Sequence, residues 1–430
     1  MITALAWIPR GVTPARLQRA DDDEEMVNKY LAVIEGDQKP KQEDEHPISA
    51  EDAEIIAKYD LDHYDDEPVK TNEDFGIVEN DPYFVQKSKQ EEEDAEDIIK
   101  PTDYLICIGK SIEPDSSLEV HIFDDTEKAF YPHHEIMIPS FPLSICWMDG
   151  APGNNEKGSF CAVSTMLHHI EIWNMNILES TIPCAWLQHH HDAVPTLSWN
   201  PLQPRALLSA SIDGTAAIWH LDALRTAAVF NLGQPRAEGT PYSQGKSAEW
   251  NPKQRSIFGV GTNEGVFGYD ARSGLTWSSL DGESIDTFSW LNDGYQFLSS
   301  TEEGKVFWYD SRDPSKPVQV LENHNGSVTG IAVSRYQPRT IVATTDIKGS
   351  AMIWDLTSGT AVLNQRANMG IGELFGCQFC PDKPLLLAIG GSSAETAIWD
   401  VEEDLDQDID PDADRPKGQL AQEDEEDDDE

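Results

Sequence analysis

AETAIWDV, residues 394–401, is the last copy of a phrase that recurs backwards along the chain with one rhythm. A short apolar run ending in an aromatic residue, then Asp or a near substitute, is found again as AMIWDL (Trp354), VFWYD (Tyr309), VFGYD (Tyr269), AAIWHL (Trp219) and IEIWNM (Trp173). From Trp399 back to Trp173 these aromatics stand 45, 45, 40, 50 and 46 residues apart. A second mark keeps step with the first: PLSICW (Trp147), PTLSWNP (Trp199), KSAEWNP (Trp250) and DTFSW (Trp290), continuing more weakly through Val333 and Phe379. From Trp199 onward, the distances from this mark to the next aromatic are 20, 19, 19, 21 and 20 residues.

Between the two marks lies a β-prone run closed by a tight turn, as in ALLSASIDG, SIFGVGTNEG, QFLSSTEEG and IVATTDIKG. The Gly in each provides the positive φ that a short hairpin turn needs. A period of about 40–45 residues, with a Trp-Asp-like ending and two hairpin-linked strands inside, is the pattern of a four-stranded propeller blade. The fold expected is all-β, a seven-bladed WD-repeat β-propeller. The repeated rings and carboxylates are read as packing and turn residues, which specify fold and not chemistry.

MITALAWI at residues 1–8 reads as one more inner strand ending in Trp7, continued by DYLICIG (Asp103–Gly109) and LEVHIFD (Leu118–Asp124). Blade one is then split by a long insertion, and the expected organisation follows: 1–11 first inner strand, 12–97 acidic insertion, largely disordered with short helices, 98–401 propeller, 402–430 acidic disordered tail. No convincing apolar strand follows Val401, so the last blade is expected to lack its outer strand or to borrow one.

The formal charge of −47 is concentrated: residues 20–97 hold 28 acidic side chains against 7 Lys, and 400–430 hold 17 against 2. Such a balance disfavours whole-face binding to nucleic acid phosphates and favours basic proteins such as histones or ribosomal proteins. The six cysteines lie mostly in apolar strand runs, as free thiols of a reducing compartment do, and no apolar run is long enough for a membrane span. A soluble intracellular protein is expected, with no membrane partner.

Within the insertion, Met26, Val27, Tyr30, Leu31 and Ile34 share one helical face, and Ser49 with Asp52 has the spacing of a helix cap. Helices this short need a surface to order against. In YDLDHYDDE the residues Tyr59, Asp60, Leu61, Asp62, Tyr64, Asp65 and Asp66 interleave aromatics with carboxylates, as suits docking on a groove with basic walls; a solvated acidic linker is the alternative.

MITALAWI, EIIAKYDLDHYDDE, EDIIKPTDYLICIG, LEVHIFD, YPHHEIMIPSFPLSICW, HHDAVPTLSWNP and IEIWNM, in this order, resemble the periodic tryptophan protein one family of eukaryotic WD-repeat proteins. The resemblance runs from Met1 to Val401, and its specific part is the split first blade with the YDLD-type motif and the IKPTD lead into the second strand. It implies a nuclear and nucleolar factor of ribosome biogenesis, a non-enzymatic scaffold that needs no cofactor. The implied protein is a monomer within a larger complex of assembly factors, ribosomal proteins and pre-rRNA of the large-subunit precursor. A chromatin adaptor or histone-binding protein at ribosomal DNA is the alternative. Unlike the family pattern, no Lys-rich run lies near Cys184.

His190, Ser209, Asp213 and Trp219 stand at the spacing of the WD-repeat network, in which Asp orients His, and His bonds a strand Ser and the Trp ring. The same residue types would serve nucleophilic catalysis, but a Ser in mid-strand beside a ring fits the structural role. His324 starts a like pattern, yet Lys348 occupies the turn position, and an incomplete network is expected there. No metal site is expected from the His pairs and triple, because adjacent strand residues face opposite ways, nor from the lone Cys377/Cys380 pair. Arg272 and Arg312 follow YDA and YDS at matching places. They fit partner binding or a contact with the neighbouring turn equally.

Overall fold

In the computed structural model, described residues are 1–19, 24–37 and 98–405, except 113, 154–156, 179, 235–241, 280–281, 323 and 403–404. The chain divides into two compact units, Met1–Tyr30 with Ile99–Glu430, and Leu31–Ile98. The first is the propeller.

Blade one pairs the strand Ile2–Ile8 with Tyr104–Ile112, followed outward by Asp115–Asp124 and Ala129–Ile138. Trp7 lies opposite Ile106 and Ile8 opposite Leu105, so the split blade expected from the sequence is present. Blade two is Pro142–Gly150, Lys157–Thr165, His169–Asn174 and Ala185–Gln188; blade three is Thr196–Trp199, Ala206–Ala210, Thr215–His220 and Arg225–Asn231. Blade four runs Gly245–Trp250, Ile257–Thr262, Gly265–Asp270, Gly274–Ser279, and blade five Ile285–Trp290, Gln296–Thr301, Val306–Asp310, Gln319–Leu321. Blade six is Val328–Val333, Ile341–Asp346, Ser350–Asp355 and Val362–Asn368. Blade seven has three strands among the described residues, Leu374–Phe379, Leu386–Gly391 and Thr396–Asp400. The protein is a seven-bladed β-propeller.

The middle strands of each blade are buried on both faces, which is why they read as unbroken apolar runs such as ALLSA and LLAIGG, whereas the outer strand Arg225–Asn231 alternates exposed and half-buried residues. The repeat aromatics are core: Trp173, Trp219 and Tyr269 are almost wholly buried. Each contributes on the order of 2–3 kcal/mol of apolar burial. One apolar cluster joins Ile2, Trp7 and Ile106 of blade one to Cys380, Leu386 and Ile398 of blade seven. The hairpin glycines Gly214, Gly265, Gly304 and Gly349 all have positive φ (84°, 139°, 82° and 87°).

Loops between first and second strands and between third and fourth strands emerge on one side of the ring, where the inner strands end in Trp; we call it the Trp face. The hairpins between second and third strands and the crossovers between blades form the opposite, hairpin face. From the Trp face of blade one, residues after Ile8 run to Gln18–Arg19, which pair in parallel with Ile177–Leu178 beside blade two. The helix Glu24–Asp37 follows.

Candidate functional site

Asp213 lies in a hairpin turn and its carboxylate accepts from Thr215 N at 2.8 Å, while Oδ2 is 3.2 Å from His190 Nδ1. His190 Nε2 is 2.7 Å from Ser209 Oγ, and Trp219 Nε1 donates to the same hydroxyl at 2.8 Å. Burial pushes the Asp213 carboxyl upward, but hydrogen bonds from His190, Thr215 and the His191 amide outweigh it and hold the group well below the usual carboxylate range. The order Asp–His–Ser is that of a nucleophilic triad, yet Ser209 is fully buried and its oxygen is committed to Trp219. A substrate carbonyl has no approach to it. The arrangement locks a strand pair to a loop.

Blade six departs from the sequence-based expectation. Lys348 does hold the turn position, but Asp346, the last residue of the strand, takes over: Oδ2 is 3.0 Å from His324 Nδ1. His324 Nε2 is 2.7 Å from Thr344 Oγ1, and Trp354 Nε1 donates to that hydroxyl at 2.9 Å. The network is complete, because Asp346 and Thr344, two residues apart on one strand, share a face and meet the two nitrogens of His324. Blade two solves the problem another way. Trp173 Nε1 donates to Glu171 Oε2 at 2.9 Å, His169 Nε2 is 3.2 Å from Oε1, and the buried Tyr30 hydroxyl of the helix donates to Oε1 at 2.5 Å. Tyr30 also packs edge-on to His169 and beside Trp186.

Two ladders between blades were not foreseen. The residue before the inner-strand Trp accepts a hydrogen bond from the backbone of the next blade: Trp199 N donates to Cys146 Sγ (3.1 Å), Trp250 N to Ser198 Oγ (3.1 Å) and Trp290 N to Glu249 Oε2 (2.7 Å). Trp7 N donates to Gln378 Oε1 (3.0 Å), joining blade one to blade seven. On the Trp face, Asn200 Nδ2 donates to Arg255 O (2.9 Å), Asn251 Nδ2 to Gly294 O (2.7 Å) and Asn292 Nδ2 to Ser334 O (2.6 Å). The Asn251 carboxamide oxygen at the same time accepts from Lys253 N and Gln254 N (2.9 Å each), fixing its own loop. The repeated WNP triplet was the available signal, read only as a strand end.

Arg272 and Arg312 each grip the strand-end Asp two residues before: Arg272 Nη2 donates to Asp270 Oδ2 at 3.0 Å and Arg312 Nη2 to Asp310 Oδ2 at 2.5 Å. Both remain largely exposed, and the Arg312 guanidinium lies 4.9 Å over the Tyr295 ring. Tyr59, Asp60, Leu61, Asp62, Tyr64, Asp65 and Asp66, the Ser49/Asp52 cap and the tail from 406 lie outside the described residues. All six cysteines are free, and burial pushes the Cys377 thiol up to about 12. Among the described residues no His, Cys, Asp or Glu group converges as a metal site.

The model of the WD domain, G-beta repeat, matches residues 182–220 and 315–355. Periodic tryptophan protein 1 homolog of Drosophila melanogaster is 27% identical, with 94% of this chain and 95% of that protein covered. Periodic tryptophan protein 1 of Saccharomyces cerevisiae is 24% identical over 93% and 88% of the two chains. The likeness to periodic tryptophan protein 1 spans nearly the whole chain. An uncharacterised WD repeat-containing protein of Schizosaccharomyces pombe is similar to the same extent, 24% identical over 93% of this chain and 89% of its own. Because the aligned length includes the region of the insertion, the WD-repeat propeller here is similar to these relatives as a whole and not through its repeats alone.

Proposed function

We propose that this WD-repeat protein is a non-enzymatic assembly scaffold of the large ribosomal subunit precursor, working in the nucleolus. The observation that carries the reading is the likeness to periodic tryptophan protein 1 across 94% of the chain, insertion region included. The burial of His190 and Ser209 supports a scaffold over a hydrolase. On this reading the propeller docks on protein and RNA of the precursor while the acidic insertion, through Tyr59 to Asp66, binds and screens a basic partner. Acidity of this size would serve histones equally well, so the test separates the two. The tagged protein is purified from its own cells at moderate salt, and co-purified RNA and proteins are identified. Enrichment of large-subunit precursor rRNA supports the scaffold; background RNA with histones recovered instead replaces it by a chromatin adaptor. Neutralising Asp60, Asp62, Asp65 and Asp66 to Asn should weaken capture of the basic partner, more so at low salt, and leave the melting temperature unchanged. Unaltered capture would reduce the motif to a linker.

A further inference from the structure

The propeller is electrically two-sided across blades four to six. Hairpin-face loops there carry Glu264, Glu283, Glu302, Glu303, Glu322 and Glu373, against Lys305 and Lys348 among the described residues. The Trp-face loops of the same blades carry Lys253, Arg255, Arg272, Arg312, Lys316 and Arg335, all exposed. Acids on this side are turn or strand-end residues: Asp293 Oδ1 accepts from Tyr295 N and Gln296 N, Asp355 Oδ1 from Thr357 N, Asp313 bonds Ser315, and Asp270 and Asp310 hold the two arginines. The Asn251 and Asn292 bridges tie the loops that carry Lys253, Arg255 and Arg335 to the blade-five loop between them, and Asp270 and Asp310 fix Arg272 and Arg312, so most of the arc is preorganised.

We infer that this arc on the Trp face of blades four to six is a binding surface for the phosphate chain of single-stranded RNA. Three features select RNA over an acidic protein segment. The cations follow a curved track over three blades, as a polyphosphate chain requires. Arg312 presents its planar guanidinium on the exposed Tyr295 ring, a surface on which bases stack. Asp270 and Asp310 each take the Nε and Nη2 donors of one arginine, which fixes the two largely exposed guanidinium planes and leaves Nη1 of each to reach a phosphate oxygen. The net charge of −47 does not forbid this. Charges more than about 10 Å away are largely screened at ~0.1 M salt, so the local groups decide, and there Lys253, Arg255, Lys316 and Arg335 add to two arginines already matched by Asp270 and Asp310.

The inference assigns a place for the RNA contact that the scaffold reading calls for, and rests on that reading only for which RNA is bound. Its test therefore uses purified full-length protein and a fluorescein-labelled 20-nucleotide poly(U) RNA, followed by anisotropy from low to moderate salt. The double variant K253E/R255E should bind roughly tenfold more weakly, with a salt slope flatter by about 1.4 for two lost phosphate contacts. K316E/R335E should do the same, whereas K305E/K348E on the hairpin face should stay within about twofold. Far-UV circular dichroism and melting checks that these exposed changes leave the fold intact. Equal loss from both faces, or no loss from the Trp-face pairs, overturns the inference. So does displacement of the RNA by polyglutamate at equal charge concentration, which would make the arc a dock for acidic protein. If arc variants lose poly(U) while no precursor rRNA is recovered from cells, the arc stands and the ribosomal reading fails.

Discussion

Glu249 sits on the inner strand of blade four with its carboxylate accepting from Trp290 N, and burial pushes it up to about 7, only partly offset by that amide, Ser289 and Arg335. A raised value means that the folded state resists the charge. The resulting cost is absent below the ordinary value of 4.5 and grows as pH rises toward 7. Glu249→Gln keeps an acceptor for Trp290 and removes the charge, so it should stabilise by about 1–2 kcal/mol at pH 8, discounted for partial exposure, and by nothing at pH 4; urea midpoints at the two pH values measure this. Asp346 behaves oppositely. Burial raises its carboxyl, but His324 and the Ser350 and Lys348 amides hold it below its ordinary 3.8, so its contribution is present above that value and lost as pH falls through the acid range. Asp346→Asn should cost about 2–3 kcal/mol at pH 7 while Lys348→Ala stays within about 0.5, read by the same denaturation. The sequence showed the His190 set through its spacing; it hid the His324 set because the carboxylate sits at the strand end and not in the turn. Glu171 was hidden more deeply, since nothing in IEIWNM marks a Glu as the acceptor for its own Trp.

The helix Glu24–Asp37 was legible as an element, because Met26, Val27, Tyr30, Leu31 and Ile34 repeat at helical spacing. Its anchor was not legible: Tyr30 finds Glu171, 141 positions later, and no local pattern encodes that meeting. Burial and the neighbouring Glu171 carboxylate both raise the Tyr30 hydroxyl far above its ordinary value, which keeps it a donor at any physiological pH. Tyr30→Phe preserves the ring contacts with His169 and Trp186 and leaves a carboxylate oxygen short of one donor. The expected result is local: amide exchange across residues 24–37 accelerates roughly tenfold, for about 1–1.5 kcal/mol, while the propeller melts within a degree or so of the parent. A matching drop in global melting temperature would show instead that the helix is part of the cooperative core. Apart from Ile2–Ile8, which pairs with Tyr104–Ile112 across the insertion, the blade strands needed no such distant information, since each pairs within one window of about 45 residues.

At the scale of the molecule, periodicity announced the ring and its split first blade, and composition announced the acidic segments, yet neither announced a cationic side. Lys253, Arg255, Arg272, Arg312, Lys316 and Arg335 stand far apart in a linear reading; loops of the same kind in successive blades bring them to one face. Charge totals averaged over the chain concealed that separation. The same ring also has one unusual joint. The chain crosses every boundary between neighbouring blades except that between seven and one, because blade one takes all four strands from residues 2–138 and the described strands of blade seven come from 374–400. Among the described residues no strand is shared there. That joint is held by Trp7 on Gln378, by Arg10 N on Asp382, and by Lys383 between Asp125 and Asp400. A ring clasped by side chains at a single seam is a split washer: force or heat has a built-in place to part it, and all seven blades stay threaded on one chain through six junctions after that contact lets go.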